Sequence, residues 1–354
     1  GLTTPLHVDA RLDYTCNGVT RSVVLRATGR DAVRLRAHTV TGTMDTDPSR
    51  PYIVYDSLVV APGATLNVLP GTEMYFHDGA HMAVRGTLRA EGTPDAWIQM
   101  AGDRTGNVVS DISFDIMSRQ WTGLFFTSTS SGNVMRNVDM RNTWQGIAIN
   151  GDPAAGRVPD LKVLNCRLHN SAGLVLEAAH ANTTILGTEL TEGGEGLLCL
   201  QGGEHTVNHC TLANYYLFSA ISGPALQLAH TGLEGDDDGS GAPHMQLLMT
   251  NSIIYGLGDD LSHKDLSGSG VQLQSCLLKS AGTDDANFIS CIWDTDPLYC
   301  NDRQAYVFDY RLQPDSPALG AANPSLTHPD AATDCLGQPR GQSPALGAYA
   351  LPKE

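Results

Sequence analysis

Polar and apolar positions along this chain repeat with one spacing. Val163-x-x-Cys166-x-Leu168, Ile185-x-x-Thr188-x-Leu190 and Val207-x-x-Cys210-x-Leu212 each lie 22 residues from the next. A fixed period of this length marks a stack of supersecondary units that bury a continuous core only together. The register reaches back 28 residues to Met135, Val138 and Met140. It reaches forward 42 residues to Met249, Ser252 and Ile254, and a further 24 to Leu273, Cys276 and Leu278. One column therefore reads Val138, Cys166, Thr188, Cys210, Ser252, Cys276, all small or medium. Another reads Met140, Leu168, Leu190, Leu212, Ile254, Leu278, all aliphatic.

Within a rung the pattern is that of a strand. Leu164, Cys166 and Leu168 alternate with Asn165, Arg167 and His169, which makes one side apolar and the other polar. At about 3.3 Å per residue, 22 extended residues would span roughly 70 Å. That fits a coil of three short strands joined by bends. Gly146-Ile147-Ala148-Ile149, Gly173-Leu174-Val175-Leu176 and Gly196-Leu197-Leu198-Cys199-Leu200 supply a second strand in successive rungs. Asn137, Asn165 and Asn251 precede the small column, where a bend calls for αL or bridge geometry. Asn side chains stacked there would bond from coil to coil. Gly187 and His209 interrupt them, so the ladder is expected to be partial.

No amphipathic helical stretch competes, and the prediction is an all-β, right-handed parallel β-helix of about 22-residue coils. Residues 51–303 are assigned to the helix, 1–50 to an N-terminal β cap or small β domain, and 304–354, rich in Pro and Ala, to a C-terminal cap. The excess lengths between rungs fall on two loops, 151–159 and 235–243. Insertions of this kind project from one face and are where binding is sought first.

Composition narrows the function. Hydrophobic residues make up 41% and aromatic ones 6%, which suits a narrow core of aliphatic and small side chains. Lys and Arg total 22 against 38 Asp and Glu, a net charge of −16 that disfavours nucleic acid as a partner. No apolar run is long enough for a transmembrane segment. The chain opens at Gly1 with neither an initiator Met nor an apolar signal. A processed or truncated chain, its export signal already removed, is expected. The eight cysteines contain no CxxC spacing. Cys166, Cys210 and Cys276 fall in the small column and read as core. Cys291 and Cys300 are the candidates for a local disulfide, and the states of Cys16 and Cys335 are open.

The wording of residues 52–126 resembles the opening coils of bacterial extracellular β-helix proteins of the pectate-lyase-like superfamily. The matching stretches are Leu58-Val59-Val60-x-Pro62-Gly63-Ala64-Thr65-Leu66, Pro70-Gly71-Thr72, Gly86-Thr87-Leu88-x-Ala90-x-Gly92-Thr93 and Trp121-x-Gly123-Leu124-Phe125-Phe126. Tyr310-Arg311-Leu312, Ser316-Pro317-Ala318, Asp334-x-x-Gly337-x-Pro339-Arg340 and Gly347-Ala348-Tyr349 are similar to their closing segment. The resemblance covers about residues 52–350. It implies export to the periplasm or outer cell surface, in some relatives by a lipid anchor. It also implies either glycan binding with no assigned reaction or polysaccharide lyase or glycoside hydrolase activity.

The first reading is a cell-envelope protein that binds polysaccharide without catalysis. The second is a lyase or hydrolase using Asp259, Asp260 and Lys264, with Asp284 and Asp285 as a further carboxylate pair. The third is an adhesin or scaffold with a protein partner. Trp144 and Gln145 are candidates for a sugar platform, whereas Trp121 reads as core. Asp236, Asp237 and Asp238 are candidate ligand-binding residues, and calcium is the cofactor they would suit. His205 and His209 are expected to point outward from a bent strand.

Overall fold

The computed structural model describes residues 6–29, 31–109 and 112–352. The chain winds into a parallel β-helix with three strands per coil. One coil illustrates the rest: Arg167–Ser171, Leu174–Ala179 and Asn182–Leu186 run in turn along the three faces. The next coil repeats them as Glu189–Gly193, Gly196–Gln201 and Glu204–Asn208. In these two coils each strand pairs in parallel with its counterpart 22 residues on, as in Leu168↔Leu190, Leu176↔Leu198 and Ile185↔Val207. Because the period matches one coil, identical columns stack on identical columns. The predicted aliphatic column Met140, Leu168, Leu190, Leu212, Ile254, Leu278 is buried throughout.

The small column is where the backbone turns. Asn137, Asn165, Gly187, His209, Asn251, Ser275 and Ser290 precede successive members of it, and all have φ between 45° and 57°. Asn, Gly and His tolerate this left-handed geometry better than branched residues do. The hydroxyls of the column finish the bend: Cys166 N donates to Thr188 Oγ1 at 3.2 Å and Cys210 N to Ser252 Oγ at 3.0 Å. Burial pushes the Cys166 and Cys210 thiols up to about 12, so they are packing groups. The ladder is indeed partial. Asn251 Nδ2 meets His209 Nε2 at 3.2 Å, while Asn137 and Asn251 donate to backbone carbonyls of Cys335 and Asn323 instead. A Cβ on Gly187 would lie 2.1 Å from Asn165 Oδ1. Gly187→Ala is therefore expected to destabilise by about 1–2 kcal/mol through αL strain and this contact, read from the urea midpoint.

Four expectations are corrected. First, the helix begins inside the segment assigned to a cap: Val33–Val40 pairs in parallel with Tyr52–Val60 and forms the first coil. What precedes it is an antiparallel hairpin of Leu6–Cys16 and Val19–Gly29, in which Leu12, Val19 and Val24 are more than half exposed. Second, the C-terminal segment does not plug the end of the stack. It folds back along the first face, where Ala213, Ile253 and Leu277 point outward, and buries them under Tyr310, Leu312, Leu346 and Tyr349. Apolar residues on an outer face need such a cover, which is the physical reason for the return. Third, Cys291 and Cys300 are not joined to each other by a disulfide. Fourth, His205 and His209 are buried, not outward. Burial lowers their pKa to about 4 and about 3, and His205 bonds Thr183 Oγ1 and Gly202 O inside the coil.

Candidate functional site

The most chemically loaded surface is the outer side of the first face, at the three coils that carry Asp139, Arg167 and Glu189 in register. Two positions further along the same strands stand Arg141, His169 and Thr191. Strand alternation sends these side chains outward while Met140, Leu168 and Leu190 go into the core. Two segments raise walls around them. Residues 112–122 carry a short turn, Phe114–Ile116, fixed by Asn142 Nδ2 on the Asp115 carbonyl and by Asn170 Nδ2 on the Ile116 carbonyl. The returning tail contributes Tyr306, Phe308, Asp309, Arg311 and Tyr349. Together they enclose a cleft of about 640 Å³.

Its polar groups are strongly coupled. Asp139 accepts from Arg141 Nη1 at 2.6 Å and lies 3.4 Å from His169 Nε2. Burial pushes the Asp139 carboxyl up, but His169 and Arg141 outweigh it and hold the group well below the usual range. His169 moves the other way. Burial lowers its pKa, yet the Asp139 charge outweighs this and leaves it raised, with Nδ1 set against Asn170 Oδ1 at 2.5 Å. The result is an ionised carboxylate beside an imidazole biased toward its protonated form.

Deeper in the cleft, Glu189 takes a hydrogen bond from the Tyr349 hydroxyl at 2.5 Å, and Glu192 takes one from Tyr310. Burial raises both carboxyls, Glu192 to about 7. Glu192 has φ 56° in a column that otherwise shows Asn142 and Asn170, so an unfavoured residue is held in αL geometry there. These two carboxylates clamp the tail.

Arg167 stands apart. Its guanidinium lies 4.9 Å from the Trp97 ring and 5.9 Å from the Tyr349 ring. Its Nε is buried with no hydrogen-bond partner, and among the described residues it forms no ion pair. Burial lowers its pKa, but Tyr349 and Glu189 outweigh that, so it stays charged with its Nε donor unspent.

The residues singled out from sequence lie elsewhere. Asp260 is buried and accepts from Ser280 N at 2.8 Å and from Ser280 Oγ, so it fastens two loops. Asp259 and Lys264 are exposed beside it. Asp284 and Asp285 accept backbone amides of residues 287–291, and Asp284 also accepts Trp293 Nε1. Trp144 is exposed next to Gln145 in the bend before Ile147–Asn150, with the Arg119 guanidinium 5.0 Å over its ring, and neither lines the cleft. Trp121 is core, stacked on Phe76 at 4.0 Å. Asp236 is spent on its own loop, taking Thr231 N at 2.7 Å and Thr231 Oγ1 at 2.5 Å, while Asp237 and Asp238 face His230. One signal for the cleft was that Asp, Arg and Glu succeed one another at a single outward position in consecutive rungs.

No protein-family model matches the chain, and no curated protein or solved structure matches it either. No helix is long and apolar enough to cross a membrane among the described residues.

Proposed function

We propose that this β-helix binds an acidic glycan in the cleft between residues 112–122 and the returning tail, at the cell envelope or exterior, without turning it over. The observation that carries the reading is Arg167, a charged guanidinium that lines the cleft beside the Trp97 and Tyr349 rings and forms no ion pair among the described residues. Planar, always-charged guanidinium recognises a carboxylate or sulfate in a bidentate manner. Tyr306 and Phe308 line the mouth and offer faces for sugar rings. The net charge of −16 does not oppose this, since at physiological salt charges beyond about 8 Å are largely screened.

The binding reading outranks the catalytic one because the acids in the cleft are already committed. Asp139 is held ionised by Arg141 and His169, and Glu189 and Glu192 are bonded to tyrosines. His169, biased toward its protonated form, is the imidazole that lines the cleft among the described residues. Calorimetry with oligouronates, sulfated oligosaccharides and neutral glucan oligomers tests the proposal. Acidic oligomers are expected to bind and neutral ones not. Arg167→Met should weaken binding roughly 10- to 100-fold, the worth of one charge-assisted pair. Equal affinity for neutral glucan, or an unaffected Arg167→Met variant, would sink it. Release of unsaturated ends that depends on His169 would instead establish the lyase reading.

A further inference from the structure

The loop that interrupts the stack between Leu226–Ala229 and Gln246–Thr250 brings three metal-ligating side chains together. The ligand atoms of His230, Asp237 and Asp238 all lie within 4.8 Å of one another. His230 is 1% exposed, and its Nε2 sits 3.0 Å from the Ala242 carbonyl, to which it donates. A neutral imidazole with its proton on Nε2 leaves a bare lone pair on Nδ1. That Nδ1 is buried without a hydrogen-bond partner. It points at Asp238 Oδ1, 3.3 Å away, and Asp237 Oδ1, 3.7 Å away. A lone pair and two carboxylate oxygens converge; each oxygen also takes one backbone amide, Gly239 N on Asp237 Oδ1 at 2.8 Å and Ser240 N on Asp238 Oδ1 at 2.9 Å, and a cation would resolve the repulsion that these leave.

We infer that His230 Nδ1, Asp237 and Asp238 form a binding site for a divalent transition-metal ion of the zinc type. The surroundings fit that role. The Nε2 bond to a backbone carbonyl is the partner that fixes the tautomer of a ligating histidine. His180 and His244 pack edge-on against the His230 ring at 5.3 and 5.1 Å and fix its plane. Asp238 is oriented by His180 Nε2 at 2.7 Å and Gln201 Nε2 at 3.0 Å, both on its Oδ2. The donor set selects the metal. Calcium takes six to eight oxygens, whereas one imidazole and two carboxylates suit zinc, with water completing the shell. The ion would tie the loop 231–243 to the coil, through His230 at the strand end and Gln201 and His180 from neighbouring rungs.

The test is calorimetry of chelator-treated protein against zinc, manganese and calcium chlorides. Zinc is expected to bind at about one equivalent, well above calcium in affinity. His230→Gln should abolish that binding, and Asp237→Asn, at an exposed position, should weaken it by at least about tenfold while leaving the circular dichroism unchanged. Should His230→Gln fail to fold, Asp237→Asn carries the test alone. The proposal is overturned by the absence of stoichiometric zinc binding. It is also overturned by calcium preference, or by zinc binding that Asp237→Asn leaves intact.

Discussion

Arg340→Met is expected to cost about 3 kcal/mol and to loosen the tail selectively. Arg340 is 4% exposed and donates to three backbone carbonyls, Ala331 at 3.1 Å, Gly347 at 3.0 Å and Ala348 at 2.8 Å. No carboxylate bonds its guanidinium among the described residues, and burial lowers its pKa to about 10, still charged at neutral pH. Methionine would fill much of the space but orphan three buried acceptors, each worth about 1–3 kcal/mol. Relief of the buried charge offsets part of that. Gly347 and Ala348 adjoin Tyr349, whose hydroxyl holds Glu189, so the damage travels to the wall of the cleft. Urea unfolding gives the magnitude. Amide exchange gives the place: residues 331–350 should exchange faster while the coil amides keep their rates. Unchanged stability, or uniform loosening of coils and tail, would refute the latch.

The helix was legible because its period is written directly into the residues. Small side chains at Cys166, Thr188 and Cys210, and αL-tolerant ones at Asn165, Gly187 and His209, are demanded by the bend itself, and a residue at a bend answers to its own coil. The cleft was not legible for the opposite reason. An outward Asp, Arg or Glu on a strand looks like a solvated face until something covers it. The cover comes from far along the chain, as the bonds from Tyr310 to Glu192 and from Tyr349 to Glu189 show. A trace of it was present. Ala213, Ile253 and Leu277 occupy outward positions where a solvated strand would carry polar residues, and they mark where the tail returns. The buried histidines misled for a related reason: one polar residue in an inward column is rare, and His205 is satisfied there by Thr183 and Gly202. In the insertion, attention to Asp236, Asp237 and Asp238 as oxygen donors missed the strand-end His230 that gives two of them a partner.

Glu192 and His205 should titrate with opposite effects on stability, and single variants should expose what the wild type conceals. Glu192 has a folded pKa of about 7 against an ordinary 4.5. The folded state therefore binds the extra proton between those values, and stability falls as pH rises from 4.5 to 7. His205 has a folded pKa of about 4 against 6.5. There the unfolded chain binds the extra proton, and stability is lost as pH falls from 6.5 to 4. Each shift is worth about 3 kcal/mol across its window, and from pH 4.5 to 6.5 the two nearly cancel. Glu192→Gln keeps an acceptor for Tyr310 and removes one slope. Relative to wild type it should gain about 3 kcal/mol between pH 4.5 and 7 and stay level above that. His205→Gln should show the reverse, losing ground to wild type as pH rises from 4 to 6.5. Between pH 4.5 and 6.5 the double variant should follow the wild-type slope. Urea midpoints taken across pH 4 to 8 decide the matter, and curves running parallel to wild type would rule out both assignments. The consequence falls on the cleft: above about pH 7 the Glu192 charge is held under the tail at a cost, so the clamp through Tyr310 is the contact that alkaline conditions strain first.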